Sequence, residues 1–324
     1  MKIQHALATI LTTTAAAAVL GGPAFADPRP DTYTLDGDAG APAGSKFEGI
    51  GVDRTGGTFY VSETTGGELH RGRVGQAGAE VWVDGDGTDG RWTARGVTVD
   101  GAGRVYVAGG PNRLDHPGAP DLWVYAPGGS LLAALQVPAG NAFLNDVAIG
   151  PDGAAYFTDS NAARIYRVAP GTDGWRATTW ADASAVIAQA PGFNLGGIVL
   201  TGDRQAFVVA QGNVGKLWRF DIATQRATLV DTTGADLAGA DGLVLQGDTL
   251  LVVRNFQRHL TSLTLAEGAT QATLLHDEAS DPSRVFTTAK VSRGRLLIVD
   301  SKFDEPVASA PYQVVSIPWH DAVS

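Results

Sequence analysis

Glu48, Arg95, Asn145, Gly196, Asp241 and Thr288 each stand directly before a short apolar run, at successive intervals of 47, 50, 51, 45 and 47 residues. Asn145 is followed by a second polar residue, Asp146, in the stretch FLNDVAIGPDG. Two carboxylates and an amide brought together offer only oxygen donors, which suits a hard cation such as Ca²⁺ and not zinc or copper. Glu48, Asn145 and Asp241, with waters completing the shell, form such a ligand set. The same residues allow a metal-free arrangement in which Arg95 pairs with Glu48 or Asp241. They also allow a channel lined by polar side chains simply because water fills it. Spacing alone leaves these open.

For residues so far apart in the chain to meet, a repeat must bring them there. The units EGIGVDRTGGTFYVSE, RGVTVDGAGRVYVAGG, NDVAIGPDGAAYFTDS, GGIVLTGDRQAFVVAQ, DGLVLQGDTLLVVRN and, more weakly, TAKVSRGRLLIVDS share one pattern: an alternating apolar run, a Gly/Asp-rich turn, and a second run heavy in aromatic and β-branched residues. A third run follows each unit (DLWVYAP and KLWRFDI are examples), and a fourth follows five of the six. Four short strands per repeat at this period describe the blade of an all-β, six-bladed β-propeller. The sixth unit lacks a fourth strand, and DTYTLDG at 31–37 is expected to complete that blade, so that no sheet edge stays open. No window sustains a 3.6-residue period, so no helix of useful length is expected.

In a propeller the first strand of every blade lines the central channel, which gathers the six positions at one mouth. The second strands return to the same end and add Glu63, Asp159, Gln211, Arg254 with Asn255, and Asp300 as an outer shell. The long loops at 111–121, which carry His116, and 302–312 are expected to overhang this mouth. Trp123, Tyr125, Tyr166 and Trp218 alternate in the third strands and read as packing between blades.

Residues 1–26 read as an export signal: Lys2, an apolar stretch from Ala6 to Leu20, then Ala24-Phe25-Ala26 before Asp27. Residues 27–324 would then form one secreted domain. With no Cys and a single Met, at the initiator position, no disulfide can staple the fold, and stability must come from packing. Removing Lys2 leaves 23 basic against 34 acidic residues, a formal charge of −11, which disfavours nucleic acid or an anionic membrane as partner. A small-molecule substrate fits better. The short stretch DGDGTDG at 84–90 lacks the spacing and closing Glu of an EF-hand and reads as a turn.

Glu-Gly-Ile at 48–50, Asn-Asp-Val at 145–147 followed by PDG, Gly-Gly-Ile at 196–198 and Asp-Gly-Leu at 241–243 resemble the SMP-30/gluconolactonase/LRE-like group of six-bladed propellers, in order and spacing over nearly the whole chain after the signal. The resemblance implies a divalent metal, commonly calcium, at the channel mouth and hydrolysis of lactones. It maps the two acidic ligands onto Glu48 and Asp241 and the third-blade amide onto Asn145. The family's fourth-blade Asn is Gly196 here, so Asn194, two residues earlier, becomes the stand-in ligand. A catalytic site of this kind assigns Asp241 as general base and Glu48 chiefly as ligand. Asn145, Arg95, Asp146 and Arg254 would face the substrate. A Gly-x-Ser-x-Gly elbow is absent and the six His residues are scattered, which argues against a nucleophilic serine hydrolase and against redox metal chemistry. The competing reading is a secreted propeller that binds a small ligand or a protein without turning it over.

Overall fold

The computed structural model describes residues 29–38 and 41–324, so the expected signal at 1–26 lies outside the described residues. Strands dominate the described residues, arranged there as four four-stranded antiparallel sheets and one sheet of eight strands. The only α-helix among the described residues is the single turn Asn112–Asp115.

Six strands sit innermost: Phe47–Val52, Val97–Val99, Leu144–Ile149, Leu195–Leu200, Ala240–Gln246 and Phe286–Ser292. Each touches the next in this order, and the last touches the first. From each, the sheet steps outward by hairpins, as in Leu144–Ile149, Ala155–Asp159, Arg164–Gly171 and Gly174–Asp182. The eight-stranded sheet arises because Thr32–Leu35 pairs antiparallel with Gln313–Pro318 and, on its other side, parallel with Gly78–Val83.

The second strands are covered on both faces by neighbouring sheets, which is why their central residues are mostly apolar. Val105–Ala108 and Ala206–Gln211 are buried at every residue. Between the third and fourth groups of strands, Tyr156, Trp180 and Phe207 meet with ring centroids 4.8 to 5.7 Å apart. Trp123, Tyr125, Tyr166 and Trp218 are likewise buried between sheets. The 84–90 stretch is a tight turn knitted to the core: Arg91 donates to the carbonyls of Asp84 and Gly67, and Trp123 Nε1 donates to Asp89 O.

Candidate functional site at the channel mouth

Five of the six inner strands begin with the same irregularity. Their register against the second strand shifts between Phe47 and Ile50, Leu144 and Val147, Leu195 and Ile198, Ala240 and Leu243, and Phe286 and Ala289. The residues left outside the ladder are Glu48-Gly49, Asn145-Asp146, Gly196-Gly197, Asp241-Gly242 and Thr287-Thr288. A bulge bends its strand and re-aims the freed side chain, here toward the axis. Polar residues therefore stand at the mouth of buried strands because the bulges take them out of the sheet. Glycine in the second place lets a bulge lie against the next inner segment: a Cβ on Gly49 would land on the Arg95 carbonyl, one on Gly197 on the Asp241 carbonyl, and one on Gly242 on Thr288. Thr287 Oγ1 donates to Glu48 O at 2.9 Å and Thr158 Oγ1 to Gly196 O at 2.7 Å, which pins the ring.

Above the bulges lies a cavity of about 330 Å³ lined by Glu48, Arg95, Asn145, Gly196, Asp241 and Asn255, with Phe193, Phe256 and Phe303 at its rim. The space beside Gly196 is where the oxygens converge: a Cβ there would be 3.6 Å from Asn145 Oδ1 and 3.8 Å from Asp241 Oδ1. Asn255 Nδ2 donates to Asp241 Oδ2 at 2.7 Å. Arg95 forms a close ion pair with Glu48 and lies over the Phe143 ring, 4.7 Å from its centroid; its buried Nε has no acceptor. Phe193 and Phe256 are 59% and 55% exposed, an apolar rim over a polar floor. Beneath, a void of about 10 Å³ among Glu48, Asp146, Asp241 and Thr288 has room for one water.

Electrostatics on this floor are set by burial. Desolvation raises the Glu48 carboxyl, opposed by the Arg95 guanidinium. Asp241 is pushed up to about 8, first by desolvation and then by the charge of Glu48, with the Asn255 hydrogen bond and Arg95 acting the other way. At neutral pH Asp241 therefore holds a proton.

Other expected site residues are engaged by partners of their own. Asn194 lines the cavity, but its Oδ1 already accepts from Ala190 N, Gln211 Nε2 and Asn213 Nδ2. Asp146 turns inward, accepting from Val147 N and Ile198 N, and ties the third group of strands to the fourth. Arg254 is buried away from the cavity, held by Ala238 O, Asp236 and Asp277. Within the outer shell, Glu63 bonds Thr65, Asp159 bonds Tyr166, Gln211 bonds Trp218 and Asp300 pairs with Arg284; Asn255 alone of these lines the cavity. The 302–312 loop supplies Phe303 to the rim, whereas His116 of the 111–121 loop stacks on Trp92 at 4.6 Å. Phe193, Phe256 and Phe303 were not singled out from the sequence. Phe256 in RNFQRH, a large apolar residue in a polar turn, is the signal that could have found it.

The donor set does not fit a calcium ion. Glu48 is paired with Arg95, Gly196 brings no side-chain donor and its carbonyl accepts from Thr158, and the Asn194 carbonyl is engaged.

No family model matches the chain, and no curated protein matches it, so the resemblance to the SMP-30/gluconolactonase/LRE-like group gains no support there. Among solved structures it is similar to the allergen Mala s 1 of Malassezia sympodialis, with 16% identity, a TM-score of 0.64, and coverage of 89% of this chain and 96% of that one. A streptogramin B lyase matches with 13% identity, a TM-score of 0.59, and coverage of 83% and 80%. A chain of the nidogen/laminin complex matches with 13% identity, a TM-score of 0.56, and coverage of 78% and 86%. Identities this low carry the fold alone, and the fold is a β-propeller.

Proposed function

We propose that the protein hydrolyses a small lactone or ester in the channel mouth, with Asp241 as general base and without a resident metal. The observation that carries this reading is the convergence of Asp241 and Asn145 on one point of a cavity that also holds the Glu48–Arg95 pair. Water attacks the acyl carbon while its proton passes to the Asp241 carboxylate. Arg95 stabilises the oxyanion, Asn145 Oδ1 accepts a hydrogen bond from the attacking water, and protonated Asp241 then returns the proton to the leaving alkoxide. Because Asp241 is half ionised only at about pH 8, the activity rises toward the alkaline side.

The exposed Phe193 and Phe256 favour a second reading, in which the mouth holds a ligand with an apolar body and does not turn it over. The fold reading that accompanies both is a six-bladed ring. The eight-stranded sheet counts as two blades joined at their outer edges, with Thr32–Leu35 completing the last. The segment before Asp27 supports export of a single domain, residues 27–324. A panel of lactones and aryl esters between pH 6 and 9, with chelator or added Ca²⁺, tests the proposal. Turnover rising toward pH 8, unaffected by chelator and reduced about 10²- to 10⁴-fold in Asp241→Asn, is expected. Saturable binding with no turnover in any arm would leave the binding reading standing and remove the catalytic one. Turnover abolished by chelator would reinstate a metal.

A further inference from the structure

The opposite end of the channel carries a second, larger cavity, of about 660 Å³, formed where the inner strands end. Val52, Ile149, Leu200, Leu245 and Val291, each at or near the end of its inner strand, line it and are only partly buried. A ring of aliphatic side chains left open to water is the surface a soluble protein normally covers. Charge at this mouth is one-sided. Arg54, Lys290 and Arg293, from the first and last groups of strands, all line it, and among the described residues no carboxylate forms an ion pair with any of them. Asp53, the one acid in the lining, is committed to its own turn, accepting from Thr55 N and Gly57 N at 3.1 and 2.9 Å. Arg293 is steadied over that turn: a Cβ on Gly57 would lie 3.1 Å from its guanidinium. In a chain with a net charge of −10, three cations set against the single charge of Asp53 leave this mouth with a positive excess that an anion would relieve. No comparable charge faces them, for the far wall offers Leu200, Leu245 and Gln246.

We propose that this lower mouth binds an amphipathic monoanion, a carboxylate on an aliphatic chain, with its head at Lys290, Arg293 and Arg54 and its tail along Leu245, Leu200 and Ile149. The volume lies within the range of small-molecule sites, and the lining pairs an apolar wall with a few convergent polar groups. The inference does not depend on any chemistry at the upper mouth.

Calorimetric titration of the purified protein with decanoate and, separately, with 1-decanol tests it. One decanoate per chain is expected, about tenfold tighter than the alcohol. The double variant Lys290→Glu/Arg293→Glu should weaken decanoate about tenfold and leave the alcohol unchanged. Leu245→Trp, which fills the tail's path without altering charge, should remove both ligands. Equal affinity for acid and alcohol overturns the proposal, as does the absence of saturable binding. Loss of decanoate in Phe256→Ala, with binding intact in Leu245→Trp, would move the ligand to the other mouth and equally overturn it.

Discussion

Asp241 should make the folded protein less stable as pH rises from acid to alkaline. Its carboxyl titrates near 3.8 in the unfolded chain and at about 8 in the folded one. Between those values the folded state binds the extra proton, so the stabilisation is complete below the unfolded value and lost as pH climbs through the folded one. Integrating from about pH 5 to about pH 8 at 1.36 kcal/mol per pH unit gives a loss of about 3.5 kcal/mol. Asp241 is only partly buried and faces water in the mouth, whose screening brings the expected loss to about 2 kcal/mol. With an unfolding entropy of about 2.1 cal/mol/K per residue over roughly 300 residues, that is about 3 °C in Tm.

Other groups move in the same window. Glu68 is raised to about 7, mainly by burial, and Asp121 to about 6, also by burial. A simple scan of Tm against pH therefore mixes their contributions, and the variant Asp241→Asn separates them. It keeps the shape and a partner for Asn255 while removing the titration, so its stability should fall less steeply than that of the parent. Glu48, Asp146 and Arg95 face the same floor and remain in both proteins. Urea unfolding at each pH, with the difference in ΔG between parent and variant plotted against pH, is the assay. Parallel curves from about pH 5 to about pH 8 would refute the claim that burial holds a proton on Asp241.

The ring of bulges and the pocket yield further expectations. Gly197→Ala places a Cβ on the Asp241 carbonyl and should cost about 1–3 kcal/mol by denaturant unfolding, with loss of activity, because two bulges must move apart. Arg95→Gln releases Glu48 from its ion pair and should give the mouth a calcium response absent from the parent, seen as a Tm increase of about 2 °C when Ca²⁺ exceeds its Kd about tenfold. Phe256→Ala, at an exposed rim position, should leave stability within about 0.5 kcal/mol while weakening ligand or substrate several-fold, read as KM or Kd. Arg254→Ala should do the reverse: activity per folded molecule is unchanged, while stability falls by about 1–3 kcal/mol because the buried guanidinium and its bonds to Ala238 O, Asp236 and Asp277 are lost.

How much of this was legible in the sequence depends on whether period or packing decides it. The all-β character, the strand runs and the gathering of Glu48, Asn145 and Asp241 around one cavity follow from a repeat near 48 residues, because a recurring unit must present the same positions to the axis. What each side chain does there does not follow, since it depends on partners far away in the chain. Arg254 and Asn255 are adjacent, yet one turns into Asp236 and Asp277 while the other reaches Asp241. Asn194 is two residues from the axis position, and its loop consumes its amide. The bulges are written in the sequence as well, in the pairs Glu-Gly, Gly-Gly and Asp-Gly at 48, 196 and 241, but what the glycines do shows only once their neighbours are known. Their function is close approach: each glycine is absent a side chain where the next inner segment's backbone passes. Asn145-Asp146 breaks that rule, and the structure supplies the reason. The Asp146 carboxylate accepts from Ile198 N and Thr158 Oγ1 donates to the Gly196 carbonyl, so at this junction hydrogen bonds hold two bulges together where elsewhere a glycine lets them touch. The acid beside Asn145 is thus a fastener for the ring, and the amide before it is the group left facing the cavity.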